Sequence, residues 1–171
     1  DLVGISLSTA TGRAAYIPLG HTEPSNQTSL SLDPGGQERK SNYSELKQIP
    51  FDKAIKLLKP LLENPSVLKI GHNIKYDLEV LYRYGIDLSP FDDTMILSYV
   101  LEGAQHRHGM DELSQIHLNH QTIKFKDVAG SGKTQVTFDK VPLDKALQYA
   151  AKDADITGRL HNHLKPRLIE E

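Results

Sequence analysis

Cysteine and tryptophan are absent from this chain of 171 residues, and aromatic residues make up only 6% of it. Without cysteine there can be no disulfide, no thiolate nucleophile and no cysteine-ligated zinc site. No apolar run approaches the roughly 20 residues that a membrane-spanning helix needs, and the first residues lack the basic segment of a signal peptide. The formal net charge of −2 excludes a general basic surface. A phosphate-rich partner must therefore be held locally or through metal ions.

The apolar pattern predicts one α/β domain over residues 1–171, with a mixed sheet flanked by helices. Residues 2–20 predict two strands around the turn Thr11-Gly12, and the apolar run Val67 to Gly71 predicts a short buried strand. Residues 21–50 are rich in Ser, Asn, Gln, Pro and Gly, which indicates a long mobile loop, and residues 121–139 are also typical of a loop. Helical spacing is found at residues 51–65, 74–85, 95–101, 110–118 and 142–168.

The stretch "AGSGKTQ", Ala129 to Gln135, superficially resembles the phosphate-binding loop of an ATPase. That loop needs an earlier glycine, at the position where this chain has Asp127, and it must join a buried strand to a helix. A carboxylate there would repel the phosphates, and both flanking segments are too polar for this context. We therefore expect a flexible polar loop and no ATP.

Two aspartates lie where apolar residues are expected. On a helical wheel Asp77 falls within the apolar arc of residues 74–84, and Asp153 falls within that of the last helix, with Tyr149 one turn before it. Asp155, in contrast, falls in the polar sector and is expected to be an ordinary solvated aspartate. An unpaired buried charge is very costly, and neither arc offers an obvious cation.

Two inward carboxylates on separate helices suit a shared divalent ion, and oxygen ligands favour Mg²⁺ or Mn²⁺. The alternative is a pair of unrelated aspartates, each satisfied by neighbours elsewhere in the fold. The residue pattern alone leaves both interpretations open.

A family resemblance rests on these residues. "HNIKYD" (His72 to Asp77) and "YAAKD" (Tyr149 to Asp153) resemble two motifs of the 3′→5′ exonucleases that use four acidic residues and a tyrosine. Together with further segments in the same order, the chain resembles the proofreading exonuclease domains of bacterial type I DNA polymerases, outside residues 21–50. Those segments are "AAYIPLGH", "LLKPLLEN", "YGI", "FDDTMILSYVLE", "HGMDELS", "DVAGSGKTQVTF" and "YAAKDADIT".

This resemblance implies a ribonuclease-H-like fold and hydrolysis of terminal phosphodiesters with two divalent ions, Mg²⁺ or Mn²⁺. It implies that Asp153 ligates the ion that holds the attacking water, that Tyr149 orients this water, and that Asp77 serves the second ion. Intact Asp77, Tyr149 and Asp153 argue against a decayed site.

The resemblance also implies the partners. Asn73 and Tyr76 are expected to contact the 3′ end of single-stranded DNA, Phe125 to stack on its terminal base, and Arg107 to contact a phosphate, as a weaker candidate. Lys133 is expected to meet a DNA phosphate only as a loose point charge. A polymerase domain of the same parent chain is expected to follow, in the bacterial cytoplasm, associated with the nucleoid and not with a membrane.

One family feature is missing. The family carries an Asp-x-Glu pair on its first strand, whereas this chain starts at Asp1-Leu2-Val3, which resembles the second strand. Without the first strand, its neighbours should be separated by a gap with exposed strand edges. With two of the four acidic ligands, we expect at most feeble exonuclease activity. The alternatives are a vestigial, non-catalytic spacer domain and a free-standing RNA-trimming exonuclease.

The histidines show no zinc-binding spacing. They are therefore predicted to be surface or loop residues, in the pairs His106/His108, His117/His120 and His161/His163.

Overall fold

The structure, a computed structural model, describes residues 2–22 and 48–170. Helices and strands of both orientations confirm the predicted α/β class. The strands are β1 (Gly4–Ala10), β2 (Arg13–Pro18), β3 (Lys69–Gly71) and β4 (Phe91–Asp93). The helices are α1 (Phe51–Leu62), α2 (Lys75–Tyr82), α3 (Thr94–Glu102), α4 (Met110–Leu118), α5 (Phe125–Ala129), α6 (Leu143–Leu164) and α7 (Arg167–Glu170).

The strands form two separate pairs within the described residues rather than one continuous sheet. β1 and β2 are antiparallel, and the turn between them uses Gly12 at a φ of 75°. β3 and β4 are parallel, with Lys69 opposite Phe91. Each pair therefore has strand edges that no other strand of the described residues covers.

The prediction that Val67 to Gly71 forms a buried strand is half wrong. β3 is present, but Ile70 is 38% exposed and Leu68 is 46% exposed. Within the described residues β3 pairs only with the three-residue β4, so few strand neighbours flank its apolar side chains. β4 itself was not predicted as a strand, because two of its three residues are aspartates and so hide the usual apolar signal.

Helix α6 organises the domain. It packs against β1, β2 and β3 and against α3 and α4. Its N-terminal half contributes Ala146 to one apolar cluster. Its C-terminal half contributes Ile156, Leu160 and Leu164 to a second cluster, which also includes Leu97 of α3 and Leu113 of α4. A third cluster joins α1 to α2 and contains Leu62, Ile74, Leu81, Ile86 and Leu88.

The last predicted helix, residues 142–168, is divided. It ends at Leu164, and the short α7 follows from Arg167. Pro166 lies between them, and its missing N–H and rigid ring explain the interruption. None of the helices in the described part of the chain combines the length and the apolar character that a membrane crossing requires.

The stretch Ala129 to Gln135 follows a helix rather than a strand. α5 lies within residues predicted as loop, and the Asp127 side chain accepts a hydrogen bond from the Lys124 N–H at its start (3.2 Å). Residues Gly132–Thr134 then form a single 3-10 turn that ends in extended backbone at Gln135. This is a polar connection and differs from the strand–loop–helix arrangement of a phosphate-binding loop.

Most of the predicted loop at residues 21–50 lies outside the described residues. Its two described ends are joined, because the Gln48 side chain accepts a hydrogen bond from the His21 N–H (2.9 Å) and donates one to the His21 carbonyl (2.8 Å). His21 and Gln48 therefore lie side by side, although 27 positions separate them in the sequence.

Candidate active site

The turn that introduces α2 is fixed by Asp93. Its buried carboxylate accepts hydrogen bonds from the backbone N–H groups of Asn73 (3.0 Å), Ile74 (2.9 Å) and Met95 (2.8 Å). It thereby caps α3 and holds the start of α2 with the same side chain. Asn73 takes a φ of 56°, a left-handed conformation that asparagine tolerates better than most residues. Asp77 thus projects from a helix whose first turn is anchored.

Asp77 differs from its prediction in one respect. The wheel placed it toward the core, but the side chain is exposed, because α2 packs inward through Ile74 and Leu81 and its first turn is open to solvent. The surrounding protein nevertheless raises the pKa of the Asp77 carboxyl through partial loss of solvation, and the nearby charge of Asp93 raises it further. Asp77 is therefore an accessible carboxylate in an unfavourable setting for its own charge.

Asp153 lies half-buried on α6, one turn after Tyr149. Burial is the largest cause that raises the pKa of Asp153, to about 6, and the charge of Asp111 adds to it, while a hydrogen bond from the Tyr149 hydroxyl works in the opposite direction. Burial and the charge of Asp153 also raise the pKa of Tyr149. The phenol therefore remains protonated at neutral pH and can serve only as a hydrogen-bonding group.

Neither Asp77 nor Asp153 has a basic ion-pair partner within 4.0 Å among residues 2–22 and 48–170. Asp155, in contrast, has a basic neighbour, and the prediction that it is an ordinary solvated aspartate is wrong. It is not simply solvated, because it accepts a hydrogen bond from the Gly12 N–H (2.6 Å) and lies 3.9 Å from the Arg159 guanidinium. The two unpaired carboxylates offer the hard oxygen ligands that Mg²⁺ and Mn²⁺ prefer, so the donor set fits such an ion.

An aromatic group borders Tyr149. The ring of Phe125 lies 6.0 Å from the Tyr149 ring, and the ring of Phe138 lies 5.8 Å from it. Phe125 remains 39% exposed. The structure thus brings Phe125 beside Tyr149 and leaves part of its surface accessible to a planar ligand.

The other predicted contact residues lie in two places. Asn73 and Tyr76 are exposed at the start of α2, close in sequence to Asp77, and Tyr76 is 68% exposed. Arg107 lies elsewhere, beside the histidines, where its carbonyl oxygen is 2.8 Å from His106 Nδ1 and its N–H donates to Glu112 (3.4 Å). Lys133 is exposed in the 3-10 turn after α5.

Two neighbours of the site were missed. Asp111, in the first turn of α4, raises the pKa of both Asp153 and Tyr149, and its carboxylate accepts a hydrogen bond from the Thr122 hydroxyl. Phe138 packs against both Phe125 and Tyr149. Asp111 is part of the segment "HGMDELS", but an acidic residue in the first turn of a helix is so common that its spacing carries no signal.

A second cluster of charged groups surrounds Glu102 at the end of α3. Its buried Oε2 atom lies 2.9 Å from His106 Nε2 and 3.2 Å from His117 Nε2, and it accepts a hydrogen bond from the Ser98 hydroxyl (3.0 Å). Its Oε1 atom accepts one from Arg167 (2.8 Å). Burial raises the pKa of Glu102, but the hydrogen bonds and the charges of His117 and Arg167 outweigh it and lower the pKa to about 2.

The prediction that the histidines are surface or loop residues is wrong for two of them. His117 and His161 lie on helices, with His161 9% exposed and the His117 side chain largely buried. His108 is 5% exposed but lies in the loop between α3 and α4, as predicted. Each lies against a polar neighbour contributed by another part of the fold: His161 contacts Asp92 (2.7 Å), and His108 Nδ1 contacts the Ser98 hydroxyl (2.8 Å). Such tertiary pairs leave no regular spacing in the sequence.

Solved structures share this fold. One, described as the apo form of a nuclease, matches 99% of this chain and 66% of its own with a TM-score of 0.65 and 25% identity. Brucella melitensis NrnC bound to pGG matches 66% of this chain and 52% of its own with a TM-score of 0.55 and 30% identity. Together with the half-buried Asp153 beside Tyr149, these matches indicate a nuclease of the α/β class.

The particular family follows from sequence comparison. A family model described as 3′–5′ exonuclease matches residues 3–169, and the chain belongs to this family. DNA polymerase I of Rhizobium leguminosarum is 49% identical, over 98% of this chain and 16% of its own length. DNA polymerase I of Pseudomonas aeruginosa is 39% identical, over 98% of this chain and 17% of its own. The chain thus spans about a sixth of these relatives, and the predicted family is confirmed.

Proposed function

We propose that this domain removes nucleotides from the 3′ ends of single-stranded DNA, as the proofreading exonuclease of a type I DNA polymerase. The observation that carries the proposal is the pair Asp77 and Asp153, two carboxylates with raised pKa values and no basic ion-pair partner among the described residues. Such carboxylates are poised to hold cations together with a phosphodiester. The family membership supports the reaction, and the DNA polymerase I relatives support the substrate.

Asp77 and Asp153 are the residues that would hold two divalent ions, Mg²⁺ or Mn²⁺. When bound, such ions stabilise the charge that develops on a phosphodiester and make a bound water more acidic. The protein's own contribution starts with the two carboxylates, whose ionised forms a neighbouring cation favours. Asp111 adds a further negative charge beside Asp153.

Tyr149 acts as a hydrogen-bonding group that orients the attacking water, because its raised pKa keeps the phenol protonated. Phe125 offers its exposed face to the terminal base, and stacking of this kind needs no sequence preference. Asn73 and Tyr76 contact the single-stranded DNA near Asp77. Arg107 is a weaker candidate for a phosphate contact, since it lies beside the histidine cluster.

The relatives also suggest the surroundings of the domain. Because this chain matches about a sixth of each DNA polymerase I relative, we propose that a polymerase domain on the same chain supplies the 3′ end. The domain would then act in the bacterial cytoplasm, on chromosomal DNA.

A second candidate function is a free-standing exonuclease that trims RNA or short oligonucleotides. The likeness to the structure of Brucella melitensis NrnC bound to pGG favours it. Its match covers 66% of this chain, whereas the polymerase relatives match 98%. The broader match to polymerase sequences makes proofreading the better supported proposal.

The test compares single-stranded DNA and RNA of the same sequence, labelled at the 5′ or the 3′ end, with the natural full-length protein and Mg²⁺ or Mn²⁺. We expect stepwise release of nucleotides from the 3′ end, with DNA cleaved faster than RNA. Faster cleavage of RNA would favour the second candidate, and no release with either metal would favour the non-catalytic spacer. Residues 1–171 alone should be only feebly active, because Asp77 and Asp153 are two of the four acidic ligands of the family.

A further inference from the structure

We propose that Glu102, His106 and His117 form a separate metal site suited to Zn²⁺, in addition to the proposed site at Asp77 and Asp153. These three side chains are the only group of three potential ligands whose atoms all lie within 4.8 Å of one another in residues 2–22 and 48–170. They come from the end of α3, the following turn and the end of α4, so the folded helices hold them together. The proposal does not depend on the nuclease reaction.

The hydrogen-bond geometry of His106 supports a cation at this place. Its Nδ1 atom lies 2.8 Å from the carbonyl oxygen of Arg107, which only accepts, so Nδ1 must carry a proton. In a neutral imidazole Nε2 is then an acceptor, yet it lies 2.9 Å from the Glu102 carboxylate, which is also an acceptor. Either a second proton or a metal ion must lie between these two atoms.

The contact to Arg107 is also the arrangement found around metal-binding histidines. Such histidines commonly donate their other ring N–H to a carbonyl or a carboxylate, which fixes the tautomer and aims the free nitrogen at the metal. His106 already has this orientation. Its Nε2 atom faces Glu102 Oε2, the same atom that His117 Nε2 contacts from α4.

The distances are close to those of a zinc site. With zinc–ligand bonds of about 2.0–2.1 Å, a tetrahedral arrangement separates neighbouring ligand atoms by about 3.3 Å. The distances from Glu102 Oε2 are 2.9 Å to His106 Nε2 and 3.2 Å to His117 Nε2, so small side-chain movements suffice. Arg167 occupies Oε1, the other oxygen of Glu102. Oε2 also accepts a hydrogen bond from the Ser98 hydroxyl (3.0 Å), and its second lone pair is the one offered to the metal.

The ligand chemistry selects zinc over magnesium. Two imidazoles and one carboxylate suit Zn²⁺, whereas Mg²⁺ prefers a shell of oxygen atoms. A fourth position remains for water or for His163 of α6, whose exposed side chain has its ring centre 5.0 Å from that of His117. A three-ligand site of this kind keeps an open coordination position.

The rival explanation is a metal-free ion network, in which protonated His106 pairs with Glu102. Both explanations need the same three residues, so a loss of stability on substitution does not separate them. Substitution of His106 by glutamine does, because the glutamine amide still donates a hydrogen bond to Glu102 but is a poor zinc ligand.

The experiment titrates the natural full-length protein with Co²⁺, a spectroscopic substitute for Zn²⁺ whose visible absorption is strong only in tetrahedral sites. Zn²⁺ is then added to displace it. We expect a strong Co²⁺ band in the parent and in Asp153→Asn. His106→Gln should lose the band and bind Zn²⁺ at least tenfold more weakly, with unchanged exonuclease activity. His117→Gln serves as an independent second variant and should behave in the same way.

Absence of the band in the parent would overturn the proposal. So would a band in His106→Gln and His117→Gln as strong as in the parent, because the ion would then be bound elsewhere. Loss of the band in Asp153→Asn would also overturn it, since the ion would then belong to the site at Asp77 and Asp153.

Discussion

Asp153 on α6 and Glu102 at the end of α3 are both shielded from solvent, but their electrostatic surroundings are opposite. Burial and the charge of Asp111 raise the pKa of Asp153 to about 6. Glu102 is also penalised by burial, yet Arg167, Ser98 and His117 lower its pKa to about 2. Asp153 lies near a second carboxylate, that of Asp111, whereas Glu102 is surrounded by hydrogen-bond donors and positively charged groups.

The difference shows which site depends on something outside the protein. Glu102 receives its compensating charges from the fold itself, so its cluster contributes to the stability of the chain even without a metal. Asp153 receives one hydrogen bond and no basic ion-pair partner among the described residues, so its ionisation costs stability until a cation is bound. We therefore expect Asp153 to serve function rather than folding.

The largest expected effect is on activity and concerns Asp153. We expect Asp153→Asn in the full-length protein to lower the rate of 3′ nucleotide release at least ~1000-fold, about 4 kcal/mol of transition-state stabilisation. The amide keeps the size of the side chain but loses the charge that holds a cation. Asp144→Asn, at an exposed position on the same helix, is the control and should leave the rate unchanged. A similar decrease in both variants would contradict a specific role for Asp153.

A smaller effect, on stability and not on chemistry, is expected for Glu102. Glu102→Gln should lower the free energy of unfolding by about 3 kcal/mol, because it leaves Arg167 and the two histidines without their shared anion. Chemical denaturation monitored by circular dichroism measures this. Glu79→Gln, which removes an exposed pair with Lys75, should cost at most about 0.5 kcal/mol. If both variants lost equally little, the Glu102 cluster would not be a stabilising centre.

The pH dependence of stability should have opposite signs at the two sites. Asp153 has a folded pKa of about 6 against an ordinary value of 3.8, so the folded state binds the proton more tightly and loses stability as pH rises through this interval. With metal removed by EDTA, Asp153→Asn should be more stable than the parent above pH 6, by on the order of 2 kcal/mol, and equal to it below the ordinary value.

At Glu102 the pKa falls from 4.5 to about 2, so its contribution is complete above 4.5 and is lost as pH falls toward 2. Unfolding curves of the parent, Asp153→Asn and Glu102→Gln, measured from about pH 2 to pH 7, test both pH dependences together. A parent that lost stability with rising pH to the same extent as Asp153→Asn would show that Asp153 does not carry the effect.

The smallest effect, on substrate affinity, is expected from aromatic residues. Phe125 lies beside Tyr149, and Tyr99 lies near the Glu102 cluster, so the two residues can be compared. Phe125→Ala should raise the KM for single-stranded DNA about fivefold, or about 1 kcal/mol, since base stacking on an aromatic ring contributes on this scale. Tyr99→Ala, which removes a ring 3.7 Å from that of His108, should leave the KM unchanged. Equal effects on KM would assign Phe125 a structural role only.

Local patterns predicted the elements well where they are long and amphipathic. The spacing of apolar residues gave α1, α4 and most of α6, and the alternation around Thr11-Gly12 gave β1 and β2. β4 was missed because two of its three residues are aspartates, and α5 because its five residues are too few to show a period. Asp155 was assigned to solvent because its hydrogen bond from Gly12 crosses 143 positions of sequence.

The candidate site was predictable only where a local pattern along one helix marks its residues. Asp153 stood out because it interrupts an apolar arc on its own helix, and so did Asp77, although the structure leaves it exposed. Asp111 and Phe138 reach the site only through the packing of other segments against α6. The Glu102 cluster has the same character, since His117 and Arg167 come from elements far along the chain.

The pair of hydrogen bonds between Gln48 and the backbone of His21 has a consequence for how this domain can change. Because these bonds join the two flanks, they hold the ends of the connection together whatever its length. For flexible connections in general, each doubling of length costs only about 0.6 kcal/mol of closure entropy. Insertions and deletions should therefore accumulate between these two residues in relatives, and a reporter peptide inserted there should leave the nuclease fold intact.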